Sequence, residues 1–163
     1  MKFTKKQIER YSRQIILKKI GVIGQKKLLK SRVLIVGVGG LGSPIAIYLA
    51  ASGVGKIGII DRDKVEISNL SRQIIFSLND LKKNKSSTAI NKLNKINPDI
   101  RFESFNKKLT KNNINKIAKN FDLIVDGSDN FRTRFLINDY CLHNKKILVS
   151  GAISKFDGQV YTF

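Results

Sequence analysis

The run Val33-Leu34-Ile35-Val36 passes without a polar residue into Gly37-Val38-Gly39-Gly40-Leu41-Gly42, and no other part of the chain constrains the fold as tightly. An aliphatic run that does not alternate with polar residues reads as a strand buried on both faces. The G-x-G-x-x-G pattern then converts strand to helix. Gly37 allows the tight turn, Gly39 lets backbone approach a phosphate, and Gly42 lets the helix pack closely, with its N-terminal N–H groups toward the anion. A second aliphatic run, 57–60, ends in Asp61, placed after the glycine loop where an acid accepts hydrogen bonds from ribose hydroxyls. Strand, glycine turn, helix, strand and acid together predict a parallel βαβ unit with a nucleotide site. A glycine-rich turn that binds nothing is the plainer alternative.

The remaining pattern extends this unit. Thr4-x-x-Gln7 has the form of a capping box, and Ile8, Tyr11, Ile15 and Ile16 recur near helical spacing, so a helix over about 5–17 precedes the sheet. After the strand at 32–36 and a helix from 41 that Gly53 ends, the expected elements are a strand at 57–61 and a loop at 63–76. A helix at 84–96, stopped by Asn97-Pro98, and a strand at 100–105 follow. Next come a short helix marked by Ile114 and Ile117, a strand at 121–125, a helix at 130–142, and strands at 147–149 and 158–163. The expected class is α/β: a Rossmann-like, doubly wound, mostly parallel sheet with helices on both faces, preceded by N-terminal helices. We divide it into an N-terminal helical segment, 1–30, and an ATP-binding domain, 31–163, since 163 residues make one ordinary domain.

Charge raises one competing idea. The chain carries 31 Lys+Arg against 12 Asp+Glu, a formal net charge of +19, which invites nucleic-acid binding. The lysines, however, are scattered in pairs such as Lys26-Lys27, Lys82-Lys83, Lys107-Lys108 and Lys145-Lys146, without interleaved aromatics or a groove-reading motif. A solvated basic surface is the expectation, attractive to an acidic protein partner, with no nucleic acid and no membrane involved. The N-terminus has no apolar signal core and no run is long enough to span a bilayer, which leads us to expect a cytoplasmic protein. One cysteine, Cys141, allows no internal disulfide and no C-x-x-C metal site.

Three polar clusters follow strands on the side where open α/β sheets bind ligands. The first, within 63–73, holds Asn69, Arg72 and Gln73, in which a guanidinium fork and a neutral amide suit phosphate oxygens. An arginine tying down a loop carbonyl is the bland alternative. The second is Lys85, a cation at a helix start where the dipole disfavours it unless an anion is near, although a solvated lysine is the simpler reading. The third is Asp126-Gly127-Ser128-Asp129-Asn130, whose carboxylates suit either Mg²⁺ or a helix cap. His143 reads as a polar residue near a helix end, and Cys141 as a core thiol rather than a nucleophile.

With these clusters go Arg10-Tyr11-Ser12-Arg13-Gln14, Asp61-x-Asp63-x-Val65-Glu66-x-Ser68-Asn69-Leu70-x-Arg72-Gln73-x-x-Phe76, Asp129-Asn130-x-x-Thr133-Arg134-x-x-x-Asn138, Ser150-Gly151-Ala152 and Gly158-Gln159-Val160. Taken in order, they resemble the ThiF/MoeB/HesA family, bacterial relatives of ubiquitin-activating enzymes, over nearly the whole chain from Arg10. The resemblance implies adenylation, with Mg-ATP, of the C-terminal carboxylate of a small ubiquitin-like sulfur-carrier protein ending in Gly-Gly. It also implies release of pyrophosphate, serving thiamine or molybdopterin-type cofactor synthesis. It assigns Gly37, Gly39, Gly40 and Gly42 to the nucleotide loop, Asp61 to ribose, Asn69, Arg72 and Lys85 to phosphates, and Asp129 to Mg²⁺. Arg13 resembles the arginine that reaches into a partner subunit's site, so a homodimer is expected. Arg13, Arg72, Lys85 and Asp129 are the catalytic set. Family members usually continue past Gly158-Gln159-Val160 into a segment with two C-x-x-C pairs. That segment is missing here, so structural Zn²⁺ is not expected and a C-terminally short domain is. Two alternatives stay open: a nucleotide-binding module without turnover, and an NAD-dependent oxidoreductase sharing the glycine loop and the acid.

Overall fold

The computed structural model describes residues 2–163. In chain order the elements are α1 (Lys5–Ile15), α2 (Gly21–Lys30), β1 (Arg32–Val36), α3 (Gly42–Ser52), β2 (Lys56–Ile60), α4 (Lys85–Ile96), β3 (Arg101–Phe105), α5 (Lys111–Ala118), β4 (Leu123–Asp126), α6 (Phe131–Asn144), β5 (Ile147–Ser154) and β6 (Asp157–Thr162). The strands form one sheet in the order β3-β2-β1-β4-β5-β6, parallel except for the antiparallel β5–β6 pair. This is the expected Rossmann-like architecture.

Two apolar layers explain why β1 carries no polar residue after its exposed first residue, Arg32. Val33 and Ile35 pack with Ala46 and Ala50 of α3 and with Ala89 and Leu93 of α4. Leu34 and Val36 face the other way, into Ile114 and Ile117 of α5 and Ile137 and Cys141 of α6. With helices on both faces, the four β1 positions from Val33 to Val36 are all core positions. Gly58 of β2 serves the second layer by its lack of a side chain: a Cβ there would lie 2.4 Å from Cζ of the fully buried Phe121.

From β1 the chain winds outward through β2 to β3, then returns to place β4 on the other side of β1. The loops leaving β1 and β4 therefore diverge, which opens a crevice at the C-terminal ends of the strands.

At the N-terminus, Thr4 and Gln7 form the predicted capping box, with Gln7 N donating to Thr4 Oγ1 at 3.2 Å and Thr4 N to Gln7 Oε1 at 3.1 Å. Helix α1 ends at Ile15, two residues short of the expected 17, and α2 supplies the second N-terminal helix. Both helices sit against the α3/α4 side. The buried Tyr11 hydroxyl accepts from Asn97 Nδ2 at 2.9 Å, and Gln25 Nε2 donates to Ser52 O at 2.9 Å.

The largest departures lie in irregular or polar stretches. The expected 63–76 loop contains a 3-10 turn at Ile67–Asn69, and Lys64 pairs with Asn84 through an isolated bridge. The strand expected at 147–149 runs on through polar Ser150, paired with both β4 and β6, and from Gly151 to Ser154 by pairing with β6 rather than by apolar sequence. The strand expected at 121–125 begins at Leu123, and Phe121 precedes it as a core plug. Among the described residues no helix is long and apolar enough to cross a membrane.

Candidate functional site

The crevice holds a cavity of about 680 Å³ bounded by the ends of β1, β2 and β4, the loop after β2, the start of α4 and the loop after β3. The glycine loop forms one wall. Gly37 has φ +83°, which favours glycine, and α3 approaches it so closely that a Cβ on Gly42 would lie 2.0 Å from Gly37 O. Helix α3 starts without a side-chain cap, and the backbone N–H groups of Gly39 and Gly40, both lining the cavity, have no protein acceptor among the described residues. That is the arrangement of an anion cradle.

Asp61 stands beside the glycine loop. Its Oδ2 accepts from Val38 N at 3.0 Å and its Oδ1 from Asp63 N at 2.9 Å, so the carboxylate is fixed against the glycine loop with lone pairs to spare. Burial pushes its pKa up, opposed by those two N–H groups and by the Lys85 charge.

Past Asp61 the phosphate-type residues converge. The 3-10 turn and its continuation bring Asn69, Arg72 and Gln73 together, with Gln73 N donating to Asn69 O at 2.9 Å. Asn69 Oδ1 accepts from Glu66 N at 3.0 Å, which leaves its amide N–H₂ without a protein acceptor among the described residues. Exposed Arg72 lies along Gly40, where a Cβ would meet its Cγ and Cδ at 3.5 Å, and its Nη1 donates to Ser68 O at 3.1 Å. The plainer reading of Arg72, a loop carbonyl's partner, is thus part of the picture, and one bond leaves most of the guanidinium's donors available.

Lys85 is the first residue of α4, a helix that also lacks a side-chain cap. Its side chain is 8% exposed, and its nearest carboxylate is Asp63, with Nζ to Oδ2 at 3.9 Å. A cation buried at the positive end of a helix, with so loose a partner, has a local electrostatic environment that a phosphate would improve.

Across the cavity, the 126–130 cluster separates into distinct roles. Buried Asp126 accepts from Ser128 N at 3.0 Å, Ser128 Oγ at 2.6 Å and Ser150 Oγ at 3.0 Å, so it ties the β4–α6 loop to β5. Arg134 reinforces the same loop by donating to Ser128 O at 2.9 Å and Gly151 O at 3.1 Å. Asn130 is the helix cap, accepting from Thr133 N at 3.0 Å. Asp129 is therefore free of capping duty; it is exposed, and among the described residues its only polar side-chain contact is Asn130 Nδ2 at 3.4 Å. Among the described residues no cluster of three metal-ligating side chains exists. A single carboxylate still fits Mg²⁺, which is commonly held by one or two carboxylates plus substrate phosphates.

Of the residues singled out in the sequence, Gly37, Gly39, Gly40, Asp61, Asn69, Arg72, Lys85 and Asp129 line this one cavity. Gly42 stands behind it as the helix contact. Arg13 is not brought there: it is an exposed residue of α1, outside the cavity of its own chain. Lys107 and Lys108, expected on the solvated surface, also line the cavity, since they follow β3 as Asp61 follows β2. Their position after a strand was the signal that could have found them. Cys141 is buried, its thiol pushed up to about 11 by burial, in keeping with a core role.

The signature of the ThiF family matches residues 11–163. A probable molybdopterin-synthase adenylyltransferase of Porphyra purpurea is 47% identical over 99% of this chain and 42% of its own length. A sulfur carrier protein adenylyltransferase of Thermus thermophilus is 45% identical over 100% of this chain and 60% of its own. The chain thus spans about half the length of the curated relatives it matches. Among solved structures, E. coli tRNA N6-threonylcarbamoyladenosine dehydratase in complex with AMP superimposes with TM-score 0.89 at 26% identity, covering 96% of this chain and 64% of that one. E. coli MccB with ATP gives 0.74 at 32% identity, covering 78% and 38%.

Proposed function

Because the chain belongs to the ThiF family, we propose that it forms the ATP-binding part of an adenylyltransferase that activates the C-terminal carboxylate of a ubiquitin-like sulfur-carrier protein ending in Gly-Gly. The observation that carries this reading is the convergence of Asn69, Arg72 and the buried Lys85 on one cavity with the free N–H groups of Gly39 and Gly40 and with Asp61. That grouping suits a triphosphate, and among the described residues the cavity lining contains no histidine or cysteine to serve hydride chemistry.

In the proposed reaction a carboxylate oxygen bonds to the α-phosphorus of ATP as the bond to the β-phosphate bridging oxygen breaks, and pyrophosphate leaves with that electron pair. Negative charge shifts onto phosphoryl oxygens, so positioned cations and N–H donors are what the reaction needs. Arg72 and Lys85 neutralise phosphate charge, Asn69 and the glycine loop donate hydrogen bonds, and Asp61 holds the ribose. Asp129 would hold Mg²⁺, which supplies further neutralisation of the phosphates.

Arg13 is exposed on α1 and outside its own chain's cavity, a placement that leaves it able to act in the site of a second copy. Mixing Arg13→Ala with Asp129→Ala protein should restore activity that neither variant shows alone, while failure to complement would refute an Arg13 acting between subunits.

The direct test is ATP–pyrophosphate exchange with Mg²⁺ and each Gly-Gly-ending carrier of the same organism. Exchange that requires one carrier supports the assignment and identifies the substrate. Mg-ATP binding without exchange by any carrier overturns turnover by this chain and leaves a nucleotide-binding module.

A further inference from the structure

We propose that Gln73 is a nucleotide-binding residue whose side-chain amide contacts the phosphate seated on the glycine loop. The inference rests on the reading of the cavity as an ATP site.

Gln73 is 3% exposed and lines the cavity, and its Oε1 is buried without a hydrogen-bond partner among the described residues. The oxygen end is turned into the protein, so Nε2 is the end available to the cavity. It lies 3.7 Å from the position a Cβ would take on Gly39, beside the loop whose N–H groups are free. The backbone bond from Gln73 N to Asn69 O closes a helical turn, which sets Asn69 and Gln73 four residues apart on one side. Their side-chain N–H₂ groups are thus neutral donors in the cavity that the glycine loop, Arg72 and Lys85 also line.

A buried carboxamide with an orphaned oxygen weakens a fold, and a methionine of similar length would fill the same space without that cost. Such violations of local packing rules concentrate where a protein binds something. An amide N–H₂ facing the cavity pairs with an acceptor, and phosphate oxygens offer only acceptors. It also adds no charge, so the contact binds phosphate without competing for the metal's carboxylate partner.

The test compares wild type, Gln73→Met and Gln73→Glu by thermal melting without ligand and by calorimetric titration with adenosine, AMP and Mg-ATP. Gln73→Met should melt at or above the wild-type temperature and yet bind AMP and Mg-ATP roughly tenfold or more weakly, the loss expected for a hydrogen bond to a charged group. Gln73→Glu, which sets a carboxylate against the phosphate, should lose more for both phosphorylated ligands. Adenosine binding should be unchanged in both variants. A Gln73→Met protein that melts lower while binding nucleotides like wild type would overturn the proposal and make Gln73 a packing residue. Equal losses for adenosine and AMP would overturn the phosphate contact. If wild type binds none of the three ligands, the ATP-site reading itself fails and the inference falls with it.

Discussion

Two glycines in the same loop should respond oppositely to the same methyl group. At Gly42 the added Cβ would lie 2.0 Å from Gly37 O, whereas a carbon and a carbonyl oxygen tolerate about 3.3 Å, so the start of α3 and the loop must separate by about 1.3 Å. Helix α3 cannot yield freely, because Ala46 and Ala50 are fully buried against β1. Overpacking of this kind costs about 1–3 kcal/mol, which for a chain this size lowers Tm by about 2–12 °C. A shift of about 1 Å at the phosphate cradle should also cut turnover by on the order of 100-fold. At Gly39 the added Cβ would find only Gln73 Nε2, at 3.7 Å, and φ is not in the left-handed region. Gly39→Ala should therefore change stability by less than about 0.5 kcal/mol, yet weaken Mg-ATP binding by occupying the space that a phosphate needs. Differential scanning fluorimetry and calorimetric titration on both variants read the two effects separately. A Gly42→Ala protein that melts and binds like wild type would refute the close-approach argument. Unchanged Mg-ATP affinity in Gly39→Ala would show that this glycine is not where phosphate meets backbone.

Other perturbations probe the remaining walls of the site. Arg72→Ala should weaken Mg-ATP binding far more than AMP binding, and Asp129→Ala should abolish Mg²⁺-dependent exchange while leaving Tm near wild type, since exposed Asp129 makes a single long contact in the fold; near-normal exchange in both variants would sink the site assignment. Asp61 carries a raised pKa in the folded chain, so its contribution to stability is full below the ordinary carboxylate pKa and is lost as pH rises through the raised value. Without nucleotide, Asp61→Asn should therefore gain stability relative to wild type on going from pH 3 to pH 7 in urea titrations, and the opposite slope would contradict the burial account. Cys141, with its thiol pushed up to about 11, should not react with a thiol-specific reagent at pH 8 until the chain is unfolded, as absorbance titration would show; rapid native-state labelling would reopen a nucleophilic role.

What was legible in the sequence came from residues whose type is dictated by local geometry or by two-sided burial. The four aliphatic residues of β1 face α3 and α4 on one side and α5 and α6 on the other, and only hydrophobic side chains serve both. Gly53, at φ +81°, ends α3 for a reason contained in the residue itself, as the Thr4–Gln7 box begins α1. The glycine loop, Asp61 and the order of strands and helices are decided within a few tens of residues of chain, so the Rossmann-like fold and the location of the cavity could be read before any contact was known.

Long-range placement decided the rest. Ser150 became strand because Asp126 of β4 and Tyr161 of β6 pair with it from either side, and Gly151 because β6 pairs with it. Among adjacent polar residues at the end of β4, Asp126 became a tether, Asn130 a cap and Asp129 an open carboxylate, according to which Ser150, Thr133 or empty cavity lay within reach. Lys107 and Lys108 look like any other surface lysines until β3, at the edge of the sheet, carries them to the cavity mouth. A residue type states what a side chain can bond to, and local sequence states which element it rides on. Whether an acceptor, a donor or nothing stands opposite it is fixed only when segments distant in sequence pack together, because hydrogen bonds and ion pairs act over a few ångströms of space and carry no memory of distance along the chain.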